Sequence, residues 1–193
     1  MDKVKNTCSW PGGDKLMQRY HDREWGVPLY EDSKIFEFLV LESMQAGLSW
    51  RTILYKRENF KKAFEKFDYK KIAKFNKKDV EKLLKNVGII RNRLKIEAVI
   101  NNAKRFMEVQ KEFGSFSNYM WKFVDNRPIL GKRKTLKSVP SVTVEAENLT
   151  RDLKNRGFKF MGATVVYAHM QAVGMVNDHI IDCFRYKELK LPT

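Results

Sequence analysis

Cysteine and histidine are scarce in this chain, with two of the first and three of the second among 193 residues. Two cysteines near opposite ends, Cys8 and Cys183, form neither a disulfide framework nor a CxxC knuckle. No window approaches the ~18 apolar residues of a membrane-spanning helix. The stretch from Met1 to Trp10 is charged and polar and lacks the apolar run of a secretory signal. Convincing β alternation and internal repeats are absent too. Together these absences exclude a disulfide-stapled secreted scaffold and a helical membrane protein, and the expectation is a cytoplasmic monomer with no membrane partner. Acidic residues are also few beside basic ones. Asp and Glu number 23 against 38 Lys and Arg, which leaves a net charge of +15. Such an excess favours a polyanionic partner, and nucleic acid is the commonest one inside a cell. A lysine-rich solvated surface would give the same count.

Apolar residues make up 43% of the chain, enough to fill the core of one domain spanning 1–193. The pattern reads as all-α, with short connections between helices. An apolar helix runs from near Ile35 to Gly47, capped by Asp32 or Ser33. An amphipathic helix follows over 51–67, and Asp68 and Asn76 cap the next two. Val80, Leu83, Leu84 and Val87 form a single stripe at helical spacing, with Gly88 at the expected C′ position. Helical periodicity resumes from Arg91 to Glu112. Ser115 or Ser117 opens a short helix, Thr143 caps another, and a last buried helix covers Ala163 to Val173. Residues 126–142 form a loop carrying the basic patch Lys132-Arg133-Lys134.

One residue in the apolar helix is out of place. At 100° per residue, Ile35, Phe38, Leu39, Glu42 and Ala46 share an arc, while Glu37 points nearly opposite. A carboxylate within a buried helix is costly to ionise unless something pairs with it. Glu42 is either a rim acid reaching water or an N–H, or the polar centre of a site.

Three constellations carry chemistry. Cys8, His21, His179 and Cys183 make a tetrahedral zinc set of four ligands. His179 and Cys183 stand at i, i+4, where one helical turn aims both at one ion. If all four meet, one structural zinc staples residues 1–31 to residues 175–193; otherwise each end holds an unrelated thiol and imidazole. The second is a helix–hairpin–helix over 77–112. A glycine in its turn, Gly88, lets backbone approach a phosphate, and the next helix offers free N–H groups. Arg91, Arg93 and Lys95 add charge where a DNA strand would pass, although an ordinary hairpin with a solvated basic face has the same composition. The third is the aromatic set Trp10, Tyr20, Trp25 and Trp50. Aromatics at that density usually mean core. Beside a buried carboxylate they also describe a slot for a flat cationic base, reached only if that base leaves the duplex. His169, in an apolar helix, is expected to be a hydrogen-bonded core histidine.

At these residues the sequence resembles the bacterial 3-methyladenine DNA glycosylase I family of the helix–hairpin–helix glycosylase superfamily. The matching stretches are Tyr20 to Pro28, Leu41-Glu42 with Gln45 to Trp50, Lys56 to Asn59, Gly88 to Arg91, Lys154 to Phe160 and Val176 to His179. They span most of the chain and are specific in combination. The resemblance implies an all-α glycosylase fold with its termini joined by structural zinc at Cys8, His21, His179 and Cys183. It implies monofunctional base-excision repair: hydrolysis of the N-glycosidic bond of 3-methyladenine in alkylated double-stranded DNA, with free 3-methyladenine as product. It places Glu42 in the catalytic pocket as a selector of the cationic base, Trp50 as the stacking wall, Tyr20, Trp25 and Trp10 as further walls, and Leu48 as a wedge filling the flipped nucleotide's place. Asp125 is the nearest candidate for stabilising the sugar cation and reads better as a structural loop acid. Met17 and His169 stand where the family commonly has aromatics, which puts the fine substrate range in doubt. The competing readings are a non-catalytic helix–hairpin–helix DNA-binding module and an enzyme using zinc as Lewis acid.

Overall fold

The computed structural model describes residues 6–190. Ten α-helices, three single-turn 3-10 helices and one pair of very short strands make up the regular elements of these residues. They are α1 (Lys15–Arg23), α2 (Asp32–Gln45), α3 (Trp50–Ala63), α4 (Tyr69–Ile72), α5 (Lys77–Lys85), α6 (Arg93–Phe113), α7 (Phe116–Trp121), α8 (Val144–Asn155), α9 (Ala163–Ala172) and α10 (Phe184–Glu188). β1 (Ile129–Leu130) pairs in parallel with β2 (Val176–Asn177), with Ile129 opposite Val176. These strands have too few residues to show alternation, so periodicity missed them. No helix among the described residues is long and apolar enough to cross a membrane.

The helix boundaries follow local chemistry. Asp14 accepts hydrogen bonds from the N–H groups of Leu16 and Met17 and opens α1. Ser49, Asn92, Ser115 and Thr143 cap α3, α6, α7 and α8 in the same way. Asn76 and Asp79 form a reciprocal capping box on α5. Two expectations fail here. Asp32 does not cap its own helix: its carboxylate accepts from the N–H groups of Phe116 and Ser117, both at 2.8 Å, and so anchors α7. Gly88 is not the C′ residue of α5, because that helix ends at Lys85 with Asn86 as its C-cap in an extended conformation.

α2 is the central element and packs against α3, α6, α7 and α9. Every residue from Ile35 to Met44 is buried, so both faces of the helix serve the core. Phe106 of α6 stacks on Phe116 at 4.1 Å and meets Phe36 edge-on at 5.1 Å. Each such ring contributes about 1.5–3 kcal/mol by leaving water. This packing fixes α2 rigidly and leaves its last turn, with Glu42 and Gln45, facing a cavity.

Candidate active site

The cavity is about 300 Å³ and is bounded by Trp10, Tyr20, Trp25, Glu42, Gln45 and Trp50, and further by Leu136, Val139, Ala168 and Gln171. Tyr20 lies 5.1 Å from Trp50, ring to ring, and Trp10 meets Trp25 edge-on at 5.3 Å. α2 carries two buried carboxyl groups with opposite fates. Glu37 accepts hydrogen bonds from Arg57 Nε at 2.8 Å and Lys34 Nζ at 3.3 Å. Glu42 is 4% exposed and accepts none from any described residue. Burial alone pushes its carboxyl up to about 8. No N–H of a described residue reaches it, so the half of the rim-acid reading that needed one fails. Burial, with the Glu42 carboxylate as a second cause, holds the Tyr20 phenol well above its ordinary value. The indole N–H groups of Trp10 and Trp50 are buried and find no acceptor among the described residues. Buried donors left this way usually signal a missing partner.

Beside the cavity, the ligand atoms of Cys8, His21, His179 and Cys183 lie within 4.8 Å of one another, all four residues buried, in a group that could hold a metal ion. His21 Nε2 is 3.1 Å from His179 Nδ1. Cys183 Sγ is 3.6 Å from each of these nitrogens, and Cys8 Sγ is 3.7 Å from His179 Nδ1. The outer ring nitrogens are occupied: His21 Nδ1 bonds Asp22 at 2.7 Å, and His179 Nε2 bonds the Trp25 carbonyl at 3.0 Å. The inner nitrogens are thereby turned toward the centre of the group. The i, i+4 argument reached the right pair by the wrong geometry. His179 to Cys183 is a turn closed by Cys183 N–H on the Ile180 carbonyl, and α10 starts only afterwards. Gly26 makes room for this approach, because its φ is +81° and an added Cβ would stand 3.2 Å from the His179 ring. The cluster leans directly on the cavity walls: Trp25 is 4.5 Å from His179, and Trp10 is 5.4 Å from His21.

The α5–α6 hairpin lies behind the loop that follows α2. Gly88 packs so closely on Asn59 that a Cβ would come within 3.1 Å of its side chain. Arg91 is exposed. Arg93 is exposed but pairs with Glu81 at 2.6 Å. Lys95 is a correction. It is 6% exposed, and its Nζ donates to the carbonyls of Met44 at 2.8 Å and Ala46 at 2.6 Å. Lys95 therefore satisfies the end of α2 and does not present its charge outward. Leu48, in the loop so anchored, is 40% exposed.

Other expectations resolve individually. His169 is buried as expected, but both ring nitrogens lack a hydrogen-bond partner among the described residues, and burial lowers its pKa to about 4. Asp125 is exposed in a left-handed turn and borders no cavity described here. Met17 is buried in the core beside the aromatic set and does not line the cavity. Sequence reasoning missed Leu136, Val139, Ala168 and Gln171. Leu136 and Val139 were legible only as apolar residues in a basic loop. That loop is tied down by Arg133, which pairs with buried Asp178 at 2.8 Å. Asp178 also accepts from Tyr167 and from Gln171 Nε2, which orients Gln171 at the cavity wall.

Comparison with known proteins is direct. The sequence pattern of the family described as methyladenine glycosylase matches residues 10–186. The chain is 44% identical to DNA-3-methyladenine glycosylase 1 of Escherichia coli (strain K12) over 179 residues, 93% of this chain and 96% of that protein. It is 45% identical to DNA-3-methyladenine glycosylase of Haemophilus influenzae over 176 residues, covering 91% and 95% of the two chains. A solved structure of 3-methyladenine DNA glycosylase I from Staphylococcus aureus, concerned with 3-methyladenine recognition, superposes with a TM-score of 0.90 at 35% identity, covering 94% of this chain and 97% of that one.

Proposed function

The chain belongs to the methyladenine glycosylase family, and from that premise we propose that it excises 3-methyladenine from alkylated duplex DNA with Glu42 as the selector of the base. The observation that carries this reading is the unpartnered, buried Glu42 carboxyl at the wall of an aromatic cavity. In an apolar core such a group is a cost with no return. Opposite a cation it becomes a recognition element. Methylation at N3 gives adenine a positive charge and weakens its glycosidic bond, so the base departs neutral and needs little help from a general acid. The protein's task is to hold the cationic base, exclude bulk water around it and admit one water to C1′. Glu42 accepts hydrogen bonds from the adenine edge, and Trp50 stacks on its face with Tyr20, Trp25 and Trp10 as the remaining walls. The base reaches them by leaving the helix, and Leu48 fills the gap it leaves.

The α5–α6 element is read as the helix–hairpin–helix. Gly88 and Arg91 contact phosphate there, and Arg93 contributes what its pairing with Glu81 leaves free. Lys95 supports the wedge loop from behind. The Cys–His group fits structural zinc. Zn–N near 2.05 Å and Zn–S near 2.3 Å give tetrahedral edges of about 3.3 Å between nitrogens and about 3.6 Å between sulfur and nitrogen. Four of the six separations here are 3.1 Å and 3.6–3.7 Å, and all six lie within 4.8 Å. Bound zinc would supply a staple that holds His21, His179 and, through them, Trp10 and Trp25. With all four residues as ligands, such an ion would have no open position for Lewis-acid chemistry. The protein acts as a monomer in this reading. A DNA-binding module without chemistry would have no use for an unpaired buried acid. The test is release of free base from methylated duplex DNA, with 3-methyladenine expected as the main product. Persistence of that base in the DNA would sink the proposal.

A further inference from the structure

Gln171 stands on the cavity wall in the last turn of α9, one turn beyond Ala168. Either end of its amide fits the space, since the oxygen and the nitrogen have nearly the same shape. Asp178 decides between them. Its side chain is fully buried and holds Arg133 Nε on Oδ1 at 2.8 Å. The other oxygen, Oδ2, accepts from the Tyr167 hydroxyl and from Gln171 Nε2, the latter at 2.8 Å. A carboxylate paired with a guanidinium only accepts hydrogen bonds, so Gln171 must offer it the NH2 end. Asp178 has no freedom to turn away. Gly131 lies so close that an added Cβ would collide with Oδ1, and the Gly131 N–H donates to the Asn177 carbonyl at 3.0 Å. Burial, with the bond to Asp178, holds the Tyr167 phenol above its ordinary value, so that hydroxyl keeps its proton. Gln171 Oε1 is left with no hydrogen-bond partner among the described residues.

The cavity wall thus carries two polar groups that are short of donors, Glu42 and Gln171 Oε1. Ala168 and Glu42 also share the wall of a smaller recess, which places Gln171 one helical turn, roughly 5 Å along α9, from the Glu42 side. We propose that Gln171 is a specificity-determining residue, whose Oε1, locked by Asp178, accepts a hydrogen bond from the exocyclic amine at C6 of the bound base, beside the one that Glu42 accepts. This rests on the base-excision reading above and extends it from the charge of the base to its identity. An adenine amine has two N–H bonds, one for each acceptor. A guanine has a carbonyl oxygen at C6, which would face Oε1 with no proton between them. In a desolvated site such a mismatch costs more than a missing contact. The aromatic walls cannot draw that distinction, because they stack on either purine.

Titration with free 3-methyladenine and with 3-methylpurine, which lacks the C6 amine, tests this. The native protein should prefer 3-methyladenine by roughly tenfold or more, since two acceptors lose their donor in the other complex. Gln171→Met keeps the length of the side chain and loses the acceptor. It should cut that preference by roughly three- to tenfold while its affinity for 3-methylpurine stays near native. Gln171→Asn, a polar variant that draws the carbonyl back by one methylene, should show the same cut and stands in if the Met variant does not fold. On methylated duplex DNA, the ratio of kcat/KM for 3-methyladenine to that for 3-methylguanine should fall by a similar factor in both. An undiminished preference for 3-methyladenine in either folded variant would overturn the proposal. So would an equal fall in affinity for the two free bases, because Gln171 would then only support the wall. Failure of the underlying reading is distinguishable: the native protein would then bind neither base and release none, and the proposal would fall with it.

Discussion

At the scale of residues, the helical arc set Glu42 and Glu37 on nearly opposite faces but did not foresee that both faces are buried. Both are acids in an apolar helix, and both are buried. What separates them is Arg57, supplied by α3, which reaches Glu37 and not Glu42. That pairing is tertiary and leaves no local trace. Lys95 and Arg91 show the same limit, since both lie near the start of α6 and only one faces solvent. Glu42 carries a consequence for stability. Its carboxyl is raised from 4.5 to about 8 on folding. The folded state therefore holds the proton more tightly than the unfolded chain. The stability this contributes is complete below pH 4.5 and is lost as the pH rises to about 8. The loss is about 1.4 kcal/mol for each pH unit between the two values. Glu42→Gln does not titrate, so its unfolding midpoint in urea should overtake that of the native protein as the pH rises from 5 to 8.5. Parallel pH profiles would mean that Glu42 is not buried in neutral form.

At the scale of elements, most helices were legible because their signals are local. The stripe stands at Val80, Leu83 and Leu84, while its fourth member, Val87, lies past the end of α5 and is exposed; the caps at Asp68, Asn76 and Thr143 stand in the structure. Two of the errors lie where a side chain serves another element. Asp32 opens α7 in place of α2, and Lys95 closes α2 from α6. In both cases a residue at one helix start satisfies groups far away in the chain, which no capping rule can foresee. Lys95→Met keeps the apolar stem and removes both donated hydrogen bonds. Two carbonyls then lose a charged donor, at a cost of roughly 1.5–3 kcal/mol. The loop carrying Leu48 loosens while Glu42, a turn earlier, stays packed. Excision from duplex DNA should thus fall further than affinity for free 3-methyladenine. Equal losses in both measurements would show that Lys95 supports the pocket generally and not the wedge loop.

At the scale of the whole molecule, residue types alone suggested that the two ends meet, and they do at the Cys–His group. The sequence could not supply the path of the chain there: a strand, a turn and a late helix replace the single helical turn. The cavity shows the same division. Its aromatic walls were legible as a cluster, whereas Leu136, Val139 and Gln171 join only when distant segments fold together. Because Trp25 and Trp10 rest on His179 and His21, the Cys–His group supports the pocket as well as the fold. Cys183→Ser is expected to lower zinc content, thermal midpoint and affinity for free 3-methyladenine together. Full zinc stoichiometry in that variant, measured by elemental analysis, would refute the ligand assignment.

Selection of a cationic base by Glu42 is measured by chromatographic identification of the bases released from methylated duplex DNA by the native protein and by Glu42→Gln. The native protein should release 3-methyladenine, and the variant should lose about tenfold or more in kcat/KM, the scale of one charged hydrogen bond. Undiminished 3-methyladenine release by a folded Glu42→Gln protein would contradict it.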